Sequence, residues 1–556
     1  MKPSLSLFSH ALFSDIALLY GYDVTMLRES GCTLSLNEGT DTDRGDVACN
    51  AAMILARLVK KAPRVIAQEI VARLEQSTHE QLSCIETISI AGPGFINITL
   101  SSAFWNSIAT SIYEHAHTFF AQETSSEKKS YILEFVSANP TGPLHLGHGR
   151  NAIIGDVLGR VLSFCGHKVA TEFYINDAGA QMRKLGSSLY IRCLQIFGST
   201  LDLDDNMYHG EYVVEMAQEL VEKYGKPVLD KTLEFYMDYA RTKLLKQQQD
   251  DLARYGVTFD RWFSEQSLYD QGAVGAVLAE LTKRNMLYED GDALWFRSTH
   301  FGDDKDRVIK KQDGDYTYIA SDIAYHADKF ERKADVLVDI LGQDHHGYVK
   351  RLKGTMEALG YNSAQLEVIL YQLVSLKKGG ELVKMSKRAG TFVTLTDIVQ
   401  TVGVDVARFI FLNKKAEAHL ELDIEVALKK SNENPVYYLQ YAYVRTNSIL
   451  SKASEKGLHP SCSSDDAFTA PEKAVLKKVV GLATTLQTIE QSLATHNLAC
   501  YALDLAQTFH SFYTNNRIID ESAPEQTKRR LYLVKVVHNT LSLALELLGL
   551  SKPETM

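Results

Sequence analysis

The segment Ser-Ala-Asn-Pro-Thr-Gly-Pro-Leu-His-Leu-Gly-His, from Ser137 to His148, limits the possible folds of this chain more than any other. Residues 131–136 just ahead of it are apolar and β-branched, which reads as a buried strand. Just behind it, Leu146, Ile153, Ile154, Val157, Leu158, Val161 and Leu162 recur at helical spacing up to Gly166. A strand, a Gly/Pro turn and a helix start gather unpaired backbone N–H groups and the positive end of a helix dipole at one point, which makes an anion site. His145 and His148 are three apart, share a helix face, and are suited to donate to the oxygens of that anion. Far downstream, Lys384-Met385-Ser386-Lys387-Arg388 sets cations around a small, flexible centre that suits a polyphosphate. Either segment alone is a weak signal; together, in this order, they are specific.

A chain of 556 residues is too long for one compact domain. Residues 1–120 read as a separate α/β unit, with helical spacing in Ala52, Leu55 and Val59 and in Val65, Ile66, Ile70 and Leu74, and with paired strands over 88–100 around Gly92-Pro-Gly94. From 121 to 400, strands alternate with helices, as in a doubly wound parallel sheet, and a helix-rich acidic insertion spans about 195–300. From 401 to 556 the chain reads as nearly all helix, with Val534, Val537, Leu541, Leu545 and Leu548 forming an apolar stripe. Seven scattered cysteines without a Cys-x-x-Cys pair point to reduced thiols and to no zinc knuckle. The N-terminal apolar stretch is broken by His10 and Asp15, and no run approaches the length of a membrane span, so a cytoplasmic protein is expected. The net charge of −10 suggests no nucleic-acid partner by itself; one would have to meet local basic patches.

The two cationic and histidine segments resemble the ATP-binding motifs of class I aminoacyl-tRNA synthetases. The wording Glu134-Phe-Val-Ser-Ala-Asn139-Pro-Thr-Gly-Pro is similar to that of the arginyl-tRNA synthetase family. Asn176-Asp-Ala-Gly, Trp262-Phe-Ser-Glu, Lys305-Asp-Arg-Val-Ile, Tyr318-Ile-Ala-Ser-Asp322-Ile-Ala-Tyr-His326, Gly342-Gln-Asp-His and Glu433-Asn-Pro-Val-Tyr-Tyr extend the resemblance along nearly the whole chain. It implies a Rossmann-like catalytic domain, a small tRNA-contacting N-terminal domain and a helical anticodon-binding domain. The implied partners are L-arginine, ATP with Mg2+ as a substrate complex, and arginine tRNA, handled by a monomer without a resident metal. The lysine motif, degraded in many members, is intact here.

By the same resemblance, His145, His148, Lys384 and Lys387 carry the chemistry. Pro140, Thr141, Gly142, Gly147, Met385 and Ser386 complete the ATP site. Glu134, Ser137, Asn139, His148, Tyr318, Asp322 and Gln343 form the arginine site. A guanidinium is a planar fork of donors, so acceptors in its plane must receive it. Asp322 also suits a helix cap, whereas Glu134, a carboxylate in an apolar strand, demands a partner. For tRNA, the candidates are Asn50, Tyr437, Tyr441, Lys528 and Arg529, with Lys473, Lys477 and Lys478 as a further basic cluster; the cations equally suit a solvated helix face, and the tyrosines a helical core. A class I synthetase for another amino acid, a silent RNA-binding paralogue and a small-molecule adenylyltransferase are the competing readings. The missing zinc cluster, the two intact motifs and the long helical tail weigh against them in that order.

Overall fold

The structure is a computed structural model, and it describes residues 4–37, 44–124, 127–382, 393–463 and 466–556. Contacts divide the chain into two units, one of residues 127–429 with 493–496, the other joining the two ends of the chain, 1–126 with 430–492 and 497–556.

The first unit is built on a five-stranded parallel sheet in the spatial order Leu366–Tyr371, Val336–Gly342, Ser130–Glu134, Lys168–Ile175, Arg261–Ser264. The chain starts in the middle strand, Ser130–Glu134, runs outward through Lys168–Ile175 and Arg261–Ser264, then returns to the other side at Val336–Gly342. Strand order therefore reverses between Ser130–Glu134 and Val336–Gly342, and in such sheets the crevice outside the carboxyl ends at that point takes ligands. The Leu146–Phe164 helix packs closely on the sheet: a Cβ at Gly155 would fall 2.2 Å from the Phe135 ring, so only glycine fits.

The helical block between the second and third sheet strands consists of Ala180–Ile196, Glu211–Tyr224 and Leu233–Arg254 around a core of Met182, Leu185, Leu189, Met216, Leu220 and Tyr236. It differs from the expected insertion of about 195–300. The four-residue run Arg261–Ser264 rejoins the main sheet, and the residues after it form the Ala273–Lys283 helix and an antiparallel sheet of Leu287–Asp290, Ala293–Phe296 and Arg307–Lys310. A strand this short, flanked by helical spacing, is masked by its neighbours in sequence. The region after 401 likewise holds a strand, Leu420–Asp423, paired parallel with Val374–Lys378.

The second unit contains a four-stranded antiparallel sheet in the order Leu34–Leu36, Val47–Cys49, Phe95–Leu100, Ile85–Ala91, and the helices Pro435–Glu455, Ala470–Ser492, His496–Asn515 and Pro524–Leu548. Pro524–Leu548 is long and apolar enough to cross a membrane, contrary to the reading from sequence, but 72% of its most apolar window is buried in the protein. All seven cysteines are free thiols.

Candidate active site

The chain leaves the Ser130–Glu134 strand through two left-handed residues, Val136 (φ 68°) and Ser137 (φ 43°). For a β-branched valine this conformation costs on the order of 1–2 kcal/mol, so the surroundings must impose it. Asn151, from the Leu146–Phe164 helix, does so. Its Oδ1 accepts from the Val136 N–H at 2.8 Å while its Nδ2 donates to the Ile340 carbonyl at 2.9 Å, joining the strands on both sides of the reversal. The Ser137 hydroxyl donates to Glu134 Oε1 at 2.7 Å and accepts from the Tyr174 N–H at 3.1 Å.

At the helix start the histidines cap one another. His145 Nδ1 accepts from the Gly147 and His148 N–H groups at 3.1 and 3.4 Å, and His148 Nδ1 accepts from the His145 N–H at 3.3 Å. A ring nitrogen that accepts carries no proton, so both rings hold their proton on Nε2, as donors. The rings stack at 3.6 Å. Gly147 serves this arrangement, since a Cβ there would meet the His145 ring at 3.0 Å. Asn139 turns its amide to Gln181 at 2.9 Å; Pro140 is buried and the half-buried Thr141 and Gly142 direct their carbonyls to the helical block. Lys384, Met385, Ser386 and Lys387 lie outside the described residues. The chain that follows them returns to the histidine turn: Thr394 bridges His145, and the Leu395 N–H donates to the Leu144 carbonyl at 2.8 Å.

Carboxyl groups gather beside this turn. Asp322 lies one turn inside the Tyr318–Glu331 helix, whose N-cap is Thr317, so it is not a cap; its Oδ2 accepts from the Tyr348 hydroxyl. Burial raises the Asp322 carboxyl and, with Asp322 as neighbour, raises the Tyr348 hydroxyl well above its ordinary range. Glu265 follows the Arg261–Ser264 strand directly, is 5% exposed, and is pushed up to about 7 by burial and then by the charges of Asp322 and Asp177. Glu265 Oε2 and the Tyr174 hydroxyl make no hydrogen bond among the described residues. Asp177, which follows the Lys168–Ile175 strand, is by contrast saturated by the Ser264 hydroxyl, the Gln266 N–H and Arg241. Buried Glu265 and half-buried Asp322 thus influence one another, and a carboxyl pair with one unpaired oxygen is chemically suited to a cation with several N–H donors. Asp177 and Glu265 stand in two of the motifs that carry the family resemblance, Asn176-Asp-Ala-Gly and Trp262-Phe-Ser-Glu, but the sequence assigned neither of them to the arginine site.

The other arginine-site candidates lie as follows. Tyr318 opens its helix, is 57% exposed and sets its ring 5.6 Å from that of Tyr348. Gln343 is half-buried at the end of the Val336–Gly342 strand. Glu134 is engaged within the protein: Lys329 pairs with it and, at 2.7 Å, with Asp339. His326 donates from Nδ1 to the Asp322 carbonyl at 2.8 Å, and its Nε2 meets Asp339 Oδ2 at 2.7 Å. Burial drives the Glu134 carboxyl up despite Lys329, whereas Lys329 and His326 together outweigh the burial of Asp339 and hold it below the usual carboxylate range. Glu134, His326 and Asp339 offer atoms within 4.8 Å of one another, a spacing a metal could use; the Lys329 ammonium pairs with two of them.

Models of three families match the chain in succession: the arginyl-tRNA synthetase N-terminal domain over residues 26–100, the class I (R) tRNA synthetase catalytic domain over 110–431, and the DALR anticodon-binding domain over 439–556. The chain belongs to the arginyl-tRNA synthetase family. An arginine–tRNA ligase of Shouchella clausii is 44% identical over 93% of both chains, and that of Bacillus subtilis 41% identical over the same shares. A structure described as an arginyl-tRNA synthetase of Campylobacter jejuni, 36% identical, superposes with a TM-score of 0.76 over 82% of this chain and all of that one. The arginyl-tRNA synthetase of Thermus thermophilus, 20% identical, shares the fold with a TM-score of 0.75 over 99% of this chain and all of its own.

Several residues expected at the family's tRNA surface are engaged within the second unit. Asn50 holds the 31–33 segment, accepting from the Thr33 N–H at 2.6 Å and donating to the Gly31 carbonyl at 3.1 Å. Arg529 and Arg530 each meet buried Glu472 at 3.0 Å, and Lys477 meets Asp46 at 2.9 Å. Lys528 pairs with Glu525 at 2.8 Å on the surface, where such a pair contributes little. Tyr437 and Tyr441 stack at 6.2 Å, and the Arg445 guanidinium lies 4.4 Å over the Tyr441 ring and 4.7 Å over exposed Tyr513.

Proposed function

We propose that the crevice at the strand reversal activates arginine, with Glu265 and Asp322 receiving its guanidinium and the histidine turn receiving ATP. The overall activity, ligation of arginine to tRNA, is that of the family. The observation that carries the residue-level reading is a pair of carboxyls that influence one another, Glu265 buried at a strand end with one oxygen unpaired among the described residues and Asp322 half-buried one turn into a helix, in the same unit as a helix start capped by two Nε2–H histidines. A guanidinium satisfies both carboxyls in one plane; a neutral side chain leaves them unpaired, and a lysine ammonium cannot span the fork. Asn139 and Tyr318 line the arginine side in this reading, with Gln343, Ser137 and Glu134 supporting it.

The arginine carboxylate attacks the α-phosphorus of ATP, which enters as its Mg2+ complex, and pyrophosphate leaves with the bonding electron pair. His145 and His148 donate from Nε2 to the α-phosphate oxygens as charge builds, and Lys384 and Lys387 neutralise the departing pyrophosphate. The 2′-hydroxyl of the terminal tRNA adenosine then attacks the arginyl carbonyl and AMP leaves. No side chain forms a covalent bond; positioning and charge neutralisation carry both steps. A monomer in the cytoplasm, with Tyr437 and Tyr441 offering stacking faces to tRNA, completes the reading. Arginine-dependent ATP–pyrophosphate exchange, run with and without arginine tRNA, tests it. Exchange that requires arginine is expected, its tRNA requirement reporting on the first step alone; no exchange under either condition overturns the assignment.

A further inference from the structure

We propose that the helical block inserted between the second and third sheet strands sets the geometry of the nucleotide turn, with Gln248 and Tyr212 as positioning residues. The inference rests on the reading of the histidine turn as the ATP site. The turn cannot fix itself. Pro140 and Pro143 lack N–H groups, so it has few donors for a ladder of its own. Its carbonyls are instead held from outside. Gln248 Nε2 donates to the Asn139 carbonyl at 3.0 Å and to the Gly142 carbonyl at 2.9 Å, and the Tyr212 hydroxyl donates to the Thr141 carbonyl at 2.7 Å. Because both partners of Gln248 can only accept, the orientation of its amide is unambiguous. The side chain is 1% exposed, and its Oε1 makes no hydrogen bond among the described residues. Two donor bonds to a single turn are thus made while the same amide's acceptor stays buried and unpaired, an arrangement that favours position over stability.

Tyr212 adds a second constraint. The Thr141–Gly142 peptide is planar and trans, so with its carbonyl turned to Tyr212 its N–H points away from the helical block. The Tyr212 hydroxyl would lie 3.3 Å from a Cβ at Gly142, so the tyrosine also fills the space beside that residue. The helix that carries Gln248, Leu233–Arg254, also reaches the arginine side of the crevice: Arg241 meets Asp177 at 3.3 Å. Residues 241 and 248 are two helical turns apart on one face. One helix therefore braces the two halves of the site at separate points, and their effects are separable.

The test is pyrophosphate exchange with the full-length protein, reading KM for ATP and for arginine apart, with Gln248→Met, Tyr212→Phe and Arg241→Met. Arginine-dependent exchange by the unaltered protein establishes the reading on which the proposal rests, so the variants test the clamp alone. Gln248→Met, which keeps the shape and removes both donors, is expected to raise KM for ATP roughly tenfold and lower kcat, with KM for arginine within about twofold. Tyr212→Phe, which removes a single oxygen and is the safer variant for folding, is expected to do the same to a smaller degree. Arg241→Met should move the arginine KM instead. An unchanged ATP KM in both clamp variants, or ATP and arginine KM rising together with a fall in melting temperature, overturns the proposal.

Discussion

Among single residues, Glu265 has the clearest physical consequence. Its carboxyl is raised to about 7 by burial and by Asp322 and Asp177, so it is partly protonated near neutrality. A guanidinium binds the ionised form. Arginine should therefore bind roughly tenfold more tightly at pH 8 than at pH 6, since the ionised fraction rises by about that factor across a group titrating near 7. Glu265→Gln should weaken binding and flatten this dependence; an undiminished slope in the variant would remove Glu265 from the pocket. Stability has the opposite sign. A carboxyl raised on folding contributes most below its unfolded value and loses that contribution as pH rises through 7, worth up to about 3 kcal/mol. The arginine-free protein should lose thermal stability between pH 5 and pH 8, and added arginine should restore more of it at the upper end. Lys329 makes a simpler case. Its fully buried ammonium pairs with Glu134 and Asp339, and Lys329→Met would leave two buried carboxyls to share what remains of His326. A loss of about 3–5 kcal/mol in urea unfolding is expected, because breaking a buried pair from one side strands the other charge.

At the level of elements, the Leu146–Phe164 helix does more than present the histidines. Arg150 is completely buried, without a carboxylate partner among the described residues. It donates from Nη1 to the Gln372 and Ala418 carbonyls at 2.7 and 2.9 Å, and from Nη2 to the Lys415 carbonyl at 2.8 Å, and burial lowers it to about 10. Those carbonyls precede the paired strands Val374–Lys378 and Leu420–Asp423, so one guanidinium fastens a small sheet to the Leu146–Phe164 helix. Lysine keeps the charge but cannot span three acceptors. Arg150→Lys should cost about 2–3 kcal/mol through orphaned carbonyls and slow pyrophosphate exchange; full stability would mean that the strand pairing alone holds the sheet. The histidine turn was legible in sequence because everything that defines it is local: an apolar run, prolines and glycines, then helical spacing. Arg150, Lys329 and Asn151 were not legible, since a cation or amide within a helix reads as surface until the fold supplies its carbonyls and carboxylates. Glu265 stands in a visible motif, Trp262-Phe-Ser-Glu, but its role was hidden for a related reason. It follows a four-residue strand lost among helices, and only the parallel sheet shows that Asp177 and Glu265 stand at strand ends facing one crevice.

At the scale of the whole molecule, the sequence divides into three successive regions, but contacts unite its two ends in one unit. The Ser102–Gln122 helix is broken at His115 (φ −146°, ψ 55°), which interrupts its ladder just where Asn539 donates to the Ile112 and Tyr113 carbonyls, at 3.3 and 2.9 Å. Tyr532 stacks on Tyr113 at 4.3 Å and donates to Thr110 at 3.0 Å, while Lys477 reaches Asp46 at 2.9 Å. Arg529, Lys473 and Lys477, cations that in sequence resembled an RNA surface, instead pair with buried carboxylates of this unit, which is why the number of such cations was a poor guide to tRNA contact. Removing residues 430–556 would not subtract an anticodon domain alone. It would leave the kinked helix with bare carbonyls and an uncovered tyrosine face, and Asp46 buried without its lysine. The expected result for a chain ending at 429 is loss of hydrogen-exchange protection over 102–122, with the sheet strands of the 127–429 unit still protected; protection retained over 102–122 would make the N-terminal region independent of the tail. The contribution of the tail to tRNA is better read from Tyr437→Ala and Tyr441→Ala in the intact chain. Each removes a stacking face worth about 1–3 kcal/mol to an unpaired base and leaves the buried ion pairs in place, so KM for tRNA should rise while arginine binding is unchanged.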